Sequence, residues 1–342
     1  MNIRKLSILF LCGILTLPLS ACANNNTASS NSSDAGLSRN SEKNEKFELT
    51  PAKEITSFED ETNVIVCFGD SITQGMAMGK GYTYPEQLQA DIGSQYRVIN
   101  AGVPGENSSA ILSRANAIDF VLTNDVTFAA GEKRVRLDRN LFSTADGEVI
   151  TYKGFGNQLK LSSVIIGGEK YALEYEEGET YDNGVYILVR NDDSSVLTLK
   201  KGTSVKYDYS SQIGRIYCTV VLMGANDGEP TAEKLVNNYR LISPLSERCI
   251  YIVPHYGDDY SSQLTSAFGD NVLNMRDYFF NHALKDYGLE ATELDKYCLK
   301  KEVTPASFTY ENKKGEVHLN SLGYKILADQ VYKKGLQLGF WK

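Results

Sequence analysis

The stretch Asn63–Gly75, "NVIVCFGDSITQG", decides how the rest of the chain is read. Its first half is a short apolar run with β-branched residues, the pattern of a strand buried on both faces. The run ends at Gly69, and Asp70 and Ser71 follow where a helix would begin. Asp and Ser favour that position because a side-chain oxygen there accepts an otherwise unpaired backbone N–H. Ser71 is therefore either a helix-capping serine or a nucleophile presented at a strand end. The second reading requires the rest of the chain to supply a base and an oxyanion site.

Outward from this stretch, apolar runs alternate with helix-like segments. "YPEQLQADIG" carries Pro85 in a position suited to a first helical turn. "YRVINAG" reads as the next strand. "NSSAILSRANAIDFVL" reads as a helix, with Ile111, Leu112, Ala115, Ile118 and Leu122 at helical spacing. "RIYCTVVLMG" and "RCIYIVP" are strand candidates, each followed by a helical pattern, "TAEKLVNNYRLISPL" and "NVLNMRDYFFNHALKDYG". "LDKYCLK" is a candidate for a short fifth strand, and "NSLGYKILADQVYKKGL" closes the chain as a helix. Strands alternating with helices imply a parallel sheet covered on both sides.

Residues 125–212 break this rhythm. Charged and apolar residues alternate there, punctuated by Gly and Asn-Asp clusters, and Asn183-Gly184 is a hairpin signal. The expectation is an all-β insertion with its own small core, dividing an α/β domain of residues 51–124 and 213–342. Its tyrosines, Tyr152, Tyr171, Tyr175, Tyr181, Tyr186, Tyr207 and Tyr209, are read either as core and cross-strand filler or as faces for stacking on sugars.

Residues 1–21 have a basic head, an apolar core and small residues before Cys22, the pattern of a secretory signal. The "LSAC" ending resembles a bacterial lipobox, which would make Cys22 a lipidated N-terminus and anchor the protein outside the cytoplasm. A plain secretory peptide is the alternative. Residues 22–50, rich in Asn and Ser, read as a flexible tether. The remaining cysteines, Cys67, Cys218, Cys249 and Cys298, read as buried thiols, with a disulfide as the alternative in an exported protein. A net charge of −8 over 342 residues argues against a nucleic-acid-binding surface. Nothing has paired metal-ligand spacing, and no cofactor is implied.

Four blocks in order, "FGDSITQG", "INAGVPGENSS", "MGANDG" and "VHLNSLGY", resemble the consensus blocks of the SGNH, or GDSL-type, hydrolase superfamily. The resemblance spans the α/β part and leaves the insertion unexplained. It implies a three-layer, flavodoxin-like α/β fold with a parallel sheet, and hydrolysis of an ester, often an acetyl group. It also implies Ser71 as nucleophile and His318 as base. The oxyanion donors would be the backbone N–H groups of Ser71 and Gly105 and the side-chain amide of Asn226. Taken singly, Gly105 reads as a turn glycine and Asn226 as a helix cap. Of the other histidines, His282 reads as a helix-surface residue and His255 as a residue bordering the cleft.

One position departs from the family pattern. The aspartate expected three residues before the histidine is Gly315 here. Glu316 lies one residue nearer, but in an extended segment that shift points its side chain to the other face. Asp258, or a backbone carbonyl, is an alternative partner, and the expectation is a Ser-His dyad with an unassigned orienting group. The leading functional expectation is an exported, lipid-anchored esterase acting on ester groups, O-acetyl above all, of a carbohydrate or cell-envelope glycan, or on a small ester. A non-catalytic glycan-binding lipoprotein on a relic fold, supported by the missing aspartate, and a lipase acting on membrane lipids are the alternatives.

Overall fold

The computed structural model describes residues 49–58, 62–137, 140–150, 163–176, 185–209, 213–228 and 230–342. The expected signal segment, Cys22, nearly all of the tether, Tyr152, Tyr181 and the Asn183-Gly184 turn lie outside the described residues.

The chain opens with β1 (Asn63–Gly69), α1 (Ser71–Gln74), α2 (Tyr84–Ile92), β2 (Tyr96–Gly102) and α3 (Ser108–Arg114). Ten short strands follow. They are β3 (Phe120–Leu122), β4 (Val126–Phe128), β5 (Arg134–Leu137), β6 (Phe142–Thr144), β7 (Val149–Ile150), β8 (Ser163–Ile166), β9 (Glu169–Glu176), β10 (Val185–Val189), β11 (Leu197–Leu199) and β12 (Ser204–Tyr207). The alternation then resumes with β13 (Ile216–Leu222), α4 (Ala232–Ile242), β14 (Cys249–Val253), α5 (Ser261–Phe268) and β15 (Val272–Asn274). The chain ends with α6 (Met275–Asn281), α7 (Ala283–Asp286), α8 (Glu293–Lys300) and α9 (Ser321–Gln337).

Among the described residues β15-β14-β13-β1-β2 form a parallel five-stranded sheet in that order. Counted along the chain, the order is 2-1-3-4-5, the doubly wound arrangement whose ligand crevice lies beside the first strand at its carboxyl end. The period-2 rule accounts for the layers. From β1, Val64, Val66 and Phe68 pack on one face with Ile111 of α3 and Leu235 and Tyr239 of α4. Ile65 and Cys67 pack on the other with Leu88 of α2, Phe279 of α6 and Tyr324 of α9.

Several elements differ from the sequence expectation. The fifth strand is Val272–Asn274, and "LDKYCLK" is the helix α8, started by a capping box in which Thr292 and Asp295 satisfy each other's backbone N–H groups. The helix expected over residues 107–122 stops at Arg114. Asn116 takes a left-handed φ of 54°, and Phe120–Leu122 becomes a strand.

The antiparallel sheet, ordered β5-β10-β9-β8-β12-β3-β6-β7, thus begins at Phe120, ahead of the expected boundary at residue 125. A separate core for the insertion is also not what forms. Phe128, Tyr171, Leu173 and Leu188 belong to the same buried cluster as Val66 and Phe68 of the parallel sheet. Tyr171, Tyr186 and Tyr207 are buried in it, and Tyr175 and Tyr209 pack against it, so these rings are core filler. Cys67, Cys218, Cys249 and Cys298 are free and buried.

Candidate active site

The register of the parallel sheet brings the candidate residues to one edge. Gly69 of β1 pairs with Gly102 of β2 on one side and Leu222 of β13 on the other. The segments that follow, Asp70-Ser71, Val103–Glu106 and Met223–Asn226, therefore leave the sheet side by side.

Asp70, not Ser71, caps α1: its carboxylate accepts the Ile72 N–H at 2.9 Å. Ser71 is the first residue of the helix, and its hydroxyl is free of the capping role. Ser71 Oγ lies 3.0 Å from His318 Nε2, across 247 positions of sequence. Burial raises the Asp70 carboxyl to about 7, assisted by the negative charges of Glu106 and Asp227.

His318 has the carboxylate partner that the sequence did not assign. Its Nδ1 lies 2.7 Å from Glu316 Oε1, which also accepts the His318 backbone N–H at 3.0 Å. The expectation of a dyad is corrected by the backbone. Gly315, with φ 72°, sits in a turn, so the segment is not extended and the alternation of faces does not apply. Asp258 is engaged elsewhere, accepting from the Tyr260 hydroxyl at 3.4 Å.

The turn carrying His318 is pinned from several sides. The Tyr310 N–H donates to the His318 carbonyl at 2.8 Å, and His255 Nε2 lies 2.9 Å from the Val317 carbonyl. His255 is buried, not at the rim of a cleft, and burial pulls its pKa down to about 4. The neutral ring donates through Nε2–H to that carbonyl. His282 lies on the surface near Asp277, as expected of it.

Gly105 has φ 73°, a conformation that a residue with a Cβ adopts only with strain. The turn directly precedes Glu106, whose carbonyl accepts the Asn226 Nδ2 at 2.9 Å. An amide NH₂ has two donors, so this bond orients Asn226 and leaves one N–H for another acceptor. The next residue, Asp227, accepts the Ser108 N–H at 2.7 Å and the Ser108 hydroxyl at 2.8 Å. Asp227 thus clamps the start of α3, which Asn107 caps, to the Asn226 loop. Sequence reasoning missed Asp227, although its place beside Asn226 in "GANDG" was a usable signal. It also missed Glu106 and Arg114, which form a fully buried ion pair under the same loops.

No protein-family model matches the chain, and no curated protein is similar to it in sequence. Among solved structures it is similar to a protein described as lipolytic and of the G-D-S-L family from Desulfitobacterium hafniense. That match has 11% identity and a TM-score of 0.35, and covers 80% of this chain and 99% of that one. It is similar to a carbohydrate acetylesterase family member from Sinorhizobium meliloti, with 12% identity and a TM-score of 0.32, covering 81% and 100%. An acetyl xylan esterase from Butyrivibrio proteoclasticus matches with 10% identity and a TM-score of 0.35, covering 84% and 67%.

Proposed function

We propose that the chain is an SGNH-type serine esterase that removes small acyl groups, acetyl above all, from an O-acylated carbohydrate. The observation that carries this reading is the hydrogen-bonded relay from Ser71 Oγ through His318 to Glu316, at the carboxyl end of the sheet. A serine hydroxyl is a weak nucleophile until a positioned base takes its proton. With Nδ1–H donated to Glu316, His318 Nε2 carries the lone pair that faces Ser71. Glu316 then stabilises the imidazolium formed as the serine attacks.

The tetrahedral intermediate places its negative oxygen toward the N–H groups of Ser71 and Gly105 and the second N–H of Asn226. Such donors are worth about 3–4 kcal/mol each in the transition state. Collapse expels the sugar hydroxyl, protonated by His318, and leaves an acyl-Ser71. Water, deprotonated by the same imidazole, releases the acid. A carbohydrate ester is the substrate class named for two of the similar structures. The non-catalytic alternative drew its support from a missing carboxylate, and Glu316 supplies one.

The test is labelling with a fluorophosphonate, followed by acetate release from acetylated xylan and from long-chain esters. The wild type is expected to label and to prefer acetyl esters, and Ser71→Ala to do neither. A wild type that neither labels nor releases acetate refutes the esterase reading. The export and lipid anchoring read from Cys22 belong to the same proposal. The wild type should fractionate with membranes and Cys22→Ser should not; equal fractionation rules the anchor out.

A further inference from the structure

We propose that Glu106 and Arg114 are the positioning pair of the oxyanion site, holding the loops of Ser71, Gly105 and Asn226 to one buried centre. The inference rests on the esterase reading. Arg114 ends α3, Glu106 lies in the loop before it, and both side chains are fully excluded from solvent. Arg114 Nε donates to Glu106 Oε2 at 2.9 Å and to Oε1 at 3.2 Å, and Nη2 donates to Oε2 at 2.7 Å. The same Nη2 donates to the Gly69 carbonyl at 3.2 Å. Gly69 is the last residue of β1 before Asp70-Ser71, so the guanidinium fixes the strand end from which the nucleophile leaves. Glu106 follows Gly105 directly, and its own carbonyl receives the Asn226 amide at 2.9 Å. Each donor-bearing segment is thus bonded to the pair, or adjoins a residue of it.

The energetics point to geometry and not to stability. A buried ion pair loses much of its attraction to desolvation, and apolar residues of similar volume often hold a core equally well or better. Here the burden is greater, because Arg114 Nη1 is buried with no partner among the described residues. Apolar side chains cannot donate to Gly69 or fix a loop at a set angle. A planar guanidinium does both through its rigid fork. Displacements of about 1 Å at a reacting centre cost about 100-fold in rate.

The test is the double variant Glu106→Leu/Arg114→Met, assayed on a small acetyl ester beside the wild type and Arg114→Lys. The Gly69 carbonyl keeps a second donor, the Val103 N–H at 3.0 Å, so it is not left unpaired. The double variant is expected to keep or raise its melting temperature while kcat falls about 30- to 100-fold, with KM within about 3-fold. Arg114→Lys, which keeps the charge but not the fork, is expected to lose about 10-fold in kcat where it remains folded, with a lowered melting temperature.

A folded double variant with wild-type kcat overturns the proposal. So does wild-type kcat in Arg114→Lys, should the double variant fail to fold. Those failures leave an active wild type and touch this inference alone. A wild type that neither labels nor turns over ester removes the inference together with the esterase reading.

Discussion

At the scale of single residues, the geometry of His318 makes Glu316 the group to test. The carboxylate lies 2.7 Å from Nδ1 and is only about a quarter exposed, so its charge is incompletely screened by water. In Glu316→Gln the charge is gone, and an amide NH₂ facing Nδ1 would favour the wrong tautomer. We expect kcat to fall about 100- to 1,000-fold, less than for a wholly buried triad acid, with little change in KM. Steady-state kinetics on a soluble acetyl ester measure it, and an unchanged kcat would return the site to a dyad. Ser71, Gly105, Asn226 and His318 stood out as candidates because each lies in a distinctive block. The contact between Glu316 and His318 did not. It depends on the left-handed turn at Gly315, and the alternation rule used against it holds only for extended backbone.

At the scale of elements, the turn carrying His318 depends on a neighbouring segment that offers it a buried histidine. His255 is neutral when folded, with a pKa of about 4, and ordinary when unfolded, near 6.5. Between those values the unfolded state binds more protons, so stability rises with pH and is lost as pH falls from about 6.5 toward 4. Asp70, raised to about 7 from an ordinary carboxyl value of about 3.9, acts in the opposite sense across the whole of this range. The comparison must therefore be between the wild type and His255→Gln, which does not titrate. Denaturant unfolding at pH 7.5 and 4.5 should show the wild type losing about 2–3 kcal/mol relative to the variant. Parallel losses would show that His255 titrates normally.

The same scale shows where element reading succeeded and failed. The long strands β1, β2, β13 and β14 were clear, because both of their faces are apolar. The α8 segment misled through its apolar residues, although Thr292 and Asp295 carried a capping signal. Helix α3 ran on too far in the reading because Ile118 and Leu122 fit a helical stripe. In the fold, Phe120–Leu122 pairs instead with Phe142–Thr144 and with Ser204 and Val205.

At the scale of the whole molecule, the antiparallel sheet is part of the fold's support. Its residues share a buried cluster with β1, α3 and α4. Ser109, on α3 beside the loops of Gly105 and Asn226, donates to Glu148 of the turn between β6 and β7 at 2.9 Å. Excision of residues 120–212 with a short linker should therefore expose Ile111, Phe68 and their neighbours to water. The expected product binds a hydrophobic dye and lacks a cooperative melting transition. A soluble, cooperatively melting remnant with full activity on a small ester would instead establish the sheet as a separable module.

The alternating α/β plan, the strand that presents Ser71 and the distant histidine that meets it can all be read from the amino acids alone. These are encoded in local periodicity and in short blocks, which need no knowledge of distant contacts. The carboxylate that faces His318, the burial of His255 against the Val317 carbonyl and the buried cluster shared by both sheets emerge only in the folded chain. Those outcomes depend on backbone turns and on packing between segments remote in the chain, where the energy of a side chain is set by neighbours that its own stretch does not name.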